Sequence, residues 1–98
     1  MKTDIQTVKQ KLHEKIDFLR DTYGVGELGV FGSVARGDNT ETSDIDVLVT
    51  LSKPMGFFEF IDLEEYLTEL LGKKVDLVTK RALNRHIKDD ILQQVTYV

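Results

Sequence analysis

The sequence has no cysteine, no tryptophan and a single proline among its 98 residues. Without cysteine, the chain can form neither a disulfide framework nor a thiolate metal site. It also lacks a recognisable signal peptide and any apolar run long enough to span a membrane. We therefore expect a cytoplasmic protein that makes no membrane contact.

Positive charge is also scarce, because 13 lysines and arginines face 17 aspartates and glutamates, giving a net charge of −4. No basic stripe of the kind that follows a nucleic-acid backbone is visible, so we expect no direct nucleic-acid contact. The length suits one small domain over residues 1–98 with a single modest core.

Apolar periodicity predicts alternating helices and strands. A first amphipathic helix should run over residues 5–23 and end at Gly24. Strands are predicted at 27–31, 45–51 and 74–79, with further helices at 57–71 and about 81–94, the last carrying a stripe of Leu83, Ile87, Ile91 and Val95.

The connection between the second and third strands is long enough to hold a helix, so these strands can lie parallel. An antiparallel pairing of the first and second strands completes the sheet. The predicted fold is therefore α/β (α+β), a small three-stranded mixed sheet with flanking helices.

Three smaller features were interpreted from local pattern. Ser33 is predicted to cap a short helix through Val34 and Ala35. The three phenylalanines at 57, 58 and 60 are predicted to belong to the core. The basic start of the last helix is interpreted as a solvated face, formed by Lys80, Arg81, Arg85 and Lys88.

Two aspartates, Asp44 and Asp46, stand at the start of the second strand. Alternation along a strand puts both carboxylates on one face, opposite Ile45, Val47, Val49 and Leu51. Neighbouring carboxylates repel each other unless a cation lies between them, and their hard oxygens suit Mg²⁺ or Mn²⁺. Asp76, near the start of the parallel third strand, should reach the same end of the sheet.

A Gly32-Ser33 pair ends the first strand and should lie at that same end. A residue without a side chain lets a phosphate approach the backbone, whose N–H groups can bind it together with the Ser33 hydroxyl. Arg36 is a further candidate for phosphate contact, with a structural role equally open. Each feature alone is common loop chemistry, but together they indicate a site for a metal and a nucleoside triphosphate.

This pattern, Gly32-Ser33, a ten-residue spacer, Asp44-Ile45-Asp46 and a later Asp76, resembles the nucleotidyltransferase superfamily typified by DNA polymerase beta. Within it, the chain looks like the minimal nucleotidyltransferase (MNT) proteins of prokaryotes, antitoxin partners of HEPN-domain toxins. The resemblance implies transfer of AMP from ATP to a toxin tyrosine within a toxin–antitoxin hetero-oligomer. It also implies two Mg²⁺ ions on Asp44, Asp46 and Asp76.

Two other functions remain open at this point. The protein could neutralise its toxin by binding alone, although all three carboxylates of the pattern are present. It could also transfer nucleotides to a small molecule, although enzymes of that kind hold the acceptor with a further domain or a second subunit. For the enzymatic function, Gly32, Ser33 and Arg36 are the predicted nucleotide-binding residues.

Overall fold

The computed structural model of the chain describes residues 3–83 and 85–98, without the side chains of residues 85–87. Five α-helices and four strands occur in this part of the chain. In chain order they are α1 Ile5–Glu14, α2 Ile16–Tyr23, β1 Val25–Phe31, α3 Gly32–Arg36, β2 Ile45–Leu51, α4 Phe57–Leu71, β3 Val75–Thr79, α5 Arg85–Gln94 and β4 Thr96–Tyr97.

The sheet has the strand order β3-β2-β1-β4. Strand β2 pairs parallel to β3 and antiparallel to β1, which confirms the predicted mixed α/β architecture. The predicted count of three strands was wrong, because β4 adds an antiparallel edge beside β1 through Gly29↔Tyr97 and Val30↔Thr96. A strand of two residues is too short to show a period-2 pattern, so its sequence carries no signal.

The core lies on one face of the sheet. Ile45, Val47 and Val49 of β2 are fully buried there, as alternation predicted. Helices α1, α2 and α4 cover this face with a set of buried apolar side chains, namely Val8, Leu12, Leu19, Tyr23, Leu63, Leu67 and Leu71. None of the helices in the described ranges is both long and apolar enough to cross a membrane.

The predicted first helix is divided in two. Its chain direction changes at Lys15, which ends α1 and begins α2, and the Lys15 amide donates to the carbonyls of Leu12 and His13. The apolar stripe continues across the break, since Leu12 and Leu19 are both buried. Because the apolar periodicity is continuous across Lys15, the sequence pattern does not indicate that the helix is divided there.

The aromatic cluster on α4 was assigned wrongly in part. Phe60 packs against the core, but Phe57 is 73% exposed and Phe58 is 83% exposed. At about 100° per residue, these two positions lie roughly 120° and 140° around the helix from the buried Leu63. Helix geometry therefore turns both rings away from the core.

The last helix begins later than predicted. Residues Lys80–Ala82 form a 3₁₀ turn instead, in which the Thr79 hydroxyl oxygen accepts the amide of Ala82 at 3.2 Å. Leu83 is extended, and helix α5 starts at Arg85. Of the predicted apolar stripe, the side chain of Ile87 lies outside the described residues, whereas a methyl group of Val95 lies directly over Gly29.

A hydrogen bond joins α2 to α4, in which the Tyr23 hydroxyl donates to Asp62 at 2.9 Å. We expect Tyr23→Phe to lower the free energy of unfolding by about 1 kcal/mol near neutral pH. Burial and then the bond to Asp62 raise the pKa of Tyr23 from 10.0 to about 12. Because the Tyr23 hydroxyl ionises less readily in the folded protein, it stabilises the fold below the pKa of the unfolded chain, 10.0. This stabilisation is lost as the pH rises through the pKa of the folded protein, about 12.

Denaturant unfolding across this alkaline range tests both statements. The difference between wild type and Tyr23→Phe should shrink as the pH rises through the two pKa values. Tyr97→Phe is the matched control, because Tyr97 lies exposed on β4. An equal loss of stability in both variants, or a difference that does not change with pH, would contradict the assigned role of the hydroxyl.

Candidate active site at the start of the parallel strands

The parallel pairing of β2 and β3 sets Asp46 directly beside Asp76 on the neighbouring strand. Strand β1 runs the other way and its last residue, Phe31, pairs with Asp46, so Gly32 follows at the same end of the sheet. The structure thus brings together the glycine turn and two of the predicted carboxylates. Asp44 immediately precedes β2 and is exposed.

Helix α4 holds β3 in place on either side of Asp76. The amide of Val75 donates to the Thr68 hydroxyl at 3.2 Å, and the amide of Leu77 donates to the Glu64 carboxylate at 3.0 Å. Both amides lie on the edge strand of the sheet, where a donor would otherwise need water. Sequence reasoning missed Thr68 and Glu64, since only the packing of α4 on the sheet brings them to these amides.

Asp46 is the least exposed of the three aspartates, and the pKa of its carboxyl is raised. Partial burial raises the pKa of its carboxyl, and the nearby charges of Asp76 and then Asp44 raise it further, while the Arg36 guanidinium opposes them. A carboxylate in this environment is short of positive charge. Lys74 does not supply it, because its ammonium lies near Asp44, at 3.8 Å, on the solvent side.

Gly32 has a positive φ of 72°, a conformation that side chains disfavour. A Cβ atom built at this position would overlap the carboxylate of Asp46. The sequence predicts that a phosphate approaches the backbone at Gly32, but the group nearest to a Cβ at this position is the carboxylate of Asp46. The missing side chain therefore first serves to admit the half-buried carboxylate.

Ser33 lies in the first turn of α3 and is half-buried. The prediction that it caps this helix was wrong, because the helix begins one residue earlier with Phe31 at the N-cap position and no side-chain capping bond. The Ser33 carbonyl accepts the amides of Gly37 at 2.9 Å and Asp38 at 3.1 Å, which closes the turn. Ser33 thus lies next to Gly32 at the carboxylate end of the sheet.

Arg36 is held from two directions. Its Nε donates to Asp38 at 3.1 Å, and its Nη1 donates to Gln94 of α5 at 3.0 Å. Sequence reasoning could not have found Gln94, which is far away in the chain and belongs to no motif. These contacts give Arg36 the structural role that was left open, and its charge still reaches Asp46.

The donor chemistry fits a hard divalent cation, but the protein does not supply a closed cage for one. In the described ranges, no three histidine, cysteine or acidic side chains converge closely enough to hold a metal by themselves. Asp46 and Asp76 provide carboxylate oxygens on adjacent strands, and Asp44 lies near them. Mg²⁺ commonly takes only one or two carboxylates and completes its shell with water and phosphate oxygens.

Replacing Gly32 with alanine should destabilise the protein more than the same change at Gly72. Both glycines have a φ near 70°, so alanine costs about 1 kcal/mol in each for the backbone alone. Only at position 32 does the new methyl group meet another atom, because nothing lies within 4 Å of a Cβ at Gly72. Equilibrium unfolding of the two variants measures the excess.

A double mutant identifies the source of that excess. Combining Gly32→Ala with Asp46→Ala removes the carboxylate that the methyl group meets, so the extra loss should largely disappear. Equal losses at positions 32 and 72, or an excess that persists without the Asp46 carboxylate, would show that the close approach does not determine stability.

The raised pKa of Asp46 predicts a gain in stability when its charge is removed. A carboxyl group whose folded pKa is raised favours folding when protonated, and this advantage is lost as the pH rises through the folded value. Without divalent cations, Asp46→Asn should therefore unfold at a higher temperature than wild type near neutral pH. In acid, the two melting temperatures should converge.

Thermal unfolding in a chelator at several pH values tests this, with Asp21→Asn on the exposed side of α2 as the matched control. An Asp46→Asn protein that is no more stable than wild type at neutral pH would refute the electrostatic description of the site.

Comparison with known proteins agrees with this geometry. The family described as nucleotidyltransferase domain matches residues 12–98. Protein adenylyltransferase MntA of Thermococcus cleftensis is 49% identical over 80 residues, which cover 82% of this chain and 81% of that protein.

Two solved structures share the fold. A proposed minimal nucleotidyltransferase has a TM-score of 0.81 and 30% identity, covering 96% of this chain and 95% of that one. A toxin–antitoxin structure with AMP-PNP has a TM-score of 0.74 and 26% identity, covering 91% of this chain and 70% of that chain. The resemblance inferred from Gly32-Ser33 and the aspartates is thereby confirmed: the chain belongs to the nucleotidyltransferase domain family.

Proposed function

We propose that this nucleotidyltransferase is the antitoxin of a HEPN-domain toxin in the cytoplasm and transfers AMP from ATP to a tyrosine hydroxyl of that toxin. The observation that carries the proposal is the pairing of Asp46 with Asp76 beside the Gly32 turn. The 49% identity to a protein named as an adenylyltransferase supports the reaction type. The likeness to a toxin–antitoxin structure with AMP-PNP supports a toxin partner and a nucleotide substrate.

In the reaction, the tyrosine oxygen attacks the α-phosphorus of ATP, the bond to the β-phosphate breaks, and pyrophosphate leaves. Asp44, Asp46 and Asp76 would hold two Mg²⁺ ions together with the phosphate oxygens, and these ions would neutralise the triphosphate and lower the pKa of the attacking hydroxyl. The raised pKa of Asp46 supports this assignment, because a cation relieves the repulsion that Asp76 and Asp44 impose.

The remaining roles follow from exposure and position. Asp76 is exposed on the edge strand β3, where an incoming partner can reach it, and we assign it to the acceptor hydroxyl as ligand or proton acceptor. Ser33 and the backbone that follows Gly32 lie on the other side of Asp46 and would bind the triphosphate. Arg36, held by Asp38 and Gln94, would add positive charge there without moving.

Asp76 should separate chemistry from nucleotide binding. We expect Asp76→Asn to keep its affinity for Mg-ATP within about tenfold, because the triphosphate is held on the Gly32 side. The same variant should show almost no transfer to the toxin, since the acceptor hydroxyl loses its activating group. Asp46→Asn should lose both functions, because it lies between the two sides.

The test incubates each variant with the proposed HEPN-domain toxin, Mg²⁺ and ATP, and measures the intact mass of the toxin. Calorimetry with Mg-ATP reports binding separately, and Asp21→Asn controls for loss of an acidic residue elsewhere. Normal transfer by Asp76→Asn would remove that residue from the site. Neutralisation of the toxin without any mass increase would replace the enzymatic proposal with an antitoxin that acts by binding alone.

A further inference from the structure

A cavity of about 680 Å³ lies at the opposite end of the sheet from Asp46. It is formed by the last residues of β2 and β3, the connection after β2, the 3₁₀ turn and helix α5. Four cationic side chains line it, and we call it the basic cavity: Lys53, Lys80, Arg81 and Lys88.

The basic cavity is separate from the carboxylate end. Strand β2 carries Asp46 at its start and Leu51, a lining residue, at its finish. Five residues of strand at about 3.3 Å each place Leu51 roughly 16 Å from Asp46, and Val49, the lining residue of β2 nearest to Asp46, lies three residues or roughly 10 Å away. Asp44, Asp46, Asp76 and Gly32 do not line the basic cavity.

The charge of the basic cavity is uncompensated. Among the residues that the structure describes, no acidic side chain lines it, although the chain as a whole has a net charge of −4. Within residues 3–83 and 88–98, no carboxylate forms an ion pair with any of its four cations. Like charges gathered in one hollow repel each other, and a bound anion would relieve that repulsion.

Two of the lining residues, Lys53 and Thr79, make defined contacts with the rest of the protein. The stem of Lys53 packs against the backbone at Gly24, where a Cβ atom would come within 2.7 Å of the lysine Cε. Glycine at this position therefore leaves the room that the lysine stem occupies. Thr79 uses its hydroxyl oxygen to accept the Ala82 amide, so its own hydrogen remains to donate to a ligand.

Size and composition indicate the ligand class. Pockets of this volume hold small molecules, and the lining also includes the apolar side chains of Leu51, Pro54 and Met55. Without these four cations, the rest of the chain has a larger negative charge than the net −4. A long polyanion that must cross this acidic surface would be repelled. We propose that the basic cavity binds a small molecule of nucleotide size that carries a chain of phosphates.

The test uses the full chain in a chelator, with inorganic tripolyphosphate as the probe, followed by ATP. Without divalent cations, the carboxylate end repels both probes, so binding there is suppressed. In an ¹H–¹⁵N titration, the amides of residues 50–53 and 79–81 should shift, while those of residues 32–37 should not. Binding should weaken with added salt, as expected for charge-driven contacts.

The variant Lys80→Gln/Arg81→Gln should bind tripolyphosphate at least about tenfold more weakly. The matched control is Lys11→Gln/Lys15→Gln, which removes the same charge from exposed positions around the end of α1 and should bind normally. Unchanged melting temperatures establish that the variants are folded, and Lys53→Gln provides an independent substitution at the same cavity.

Several outcomes would overturn the proposal. These are no saturable binding of either probe, shifts confined to residues 32–37, or equal affinity in the cavity variants and the control. Tighter binding of a short single-stranded RNA or of an oligoglutamate peptide than of tripolyphosphate would reject the small-molecule class. Tighter binding of ATP than of tripolyphosphate would support a contribution to affinity from the apolar side chains of the lining. Failure of toxin modification would leave this test unaffected, since it measures neither transfer nor Mg²⁺ binding.

Discussion

The repulsion between Asp46 and Asp76 is the constraint on which the site depends. Parallel pairing makes them neighbours in register, and the pKa of Asp46 is raised first by its partial burial and then by the charge of Asp76. The protein offsets this cost elsewhere, through a core behind β2 and through the bonds from Thr68 and Glu64 that hold β3. A carboxylate pair that is unfavourable in the free protein is thus kept in the position that the proposed metal site requires.

Gly32 shows how closely the turn and the carboxylates depend on each other. The residue must adopt a positive φ to leave β1 and enter α3, and it must also lack a side chain because Asp46 lies against it. Gly72, at the end of α4, is required only for its positive φ, because a Cβ atom there would have open space around it. The Gly-Ser element and the aspartate pair therefore form one packed unit, in which a change to one displaces the other.

Features set by local periodicity were predictable from the sequence, whereas features set by distant contacts were not. Alternation placed Ile45, Val47 and Val49 in the core, and the connection length indicated the parallel crossover. The exposed Phe57 and Phe58 could have been recognised from their angle on the helix, but their apolar character favoured burial. Strand β4 and the Arg36–Gln94 bond depend on the chain end returning to β1 and α3, which no local pattern reveals.

The two ends of the sheet carry opposite charge. The lining of the basic cavity begins at Val49, three residues or roughly 10 Å along β2 from Asp46, and exposed charges farther apart than the Debye length of about 8 Å are largely screened at physiological ionic strength. Among the described residues, the Arg36 guanidinium, and not a cation of the basic cavity, lowers the pKa of Asp46. Because Arg36 is already bonded to Asp38 and Gln94, its compensation is partial. The positive charge that Asp46 lacks in the free protein is what the metal-bound nucleotide of the proposed reaction would supply.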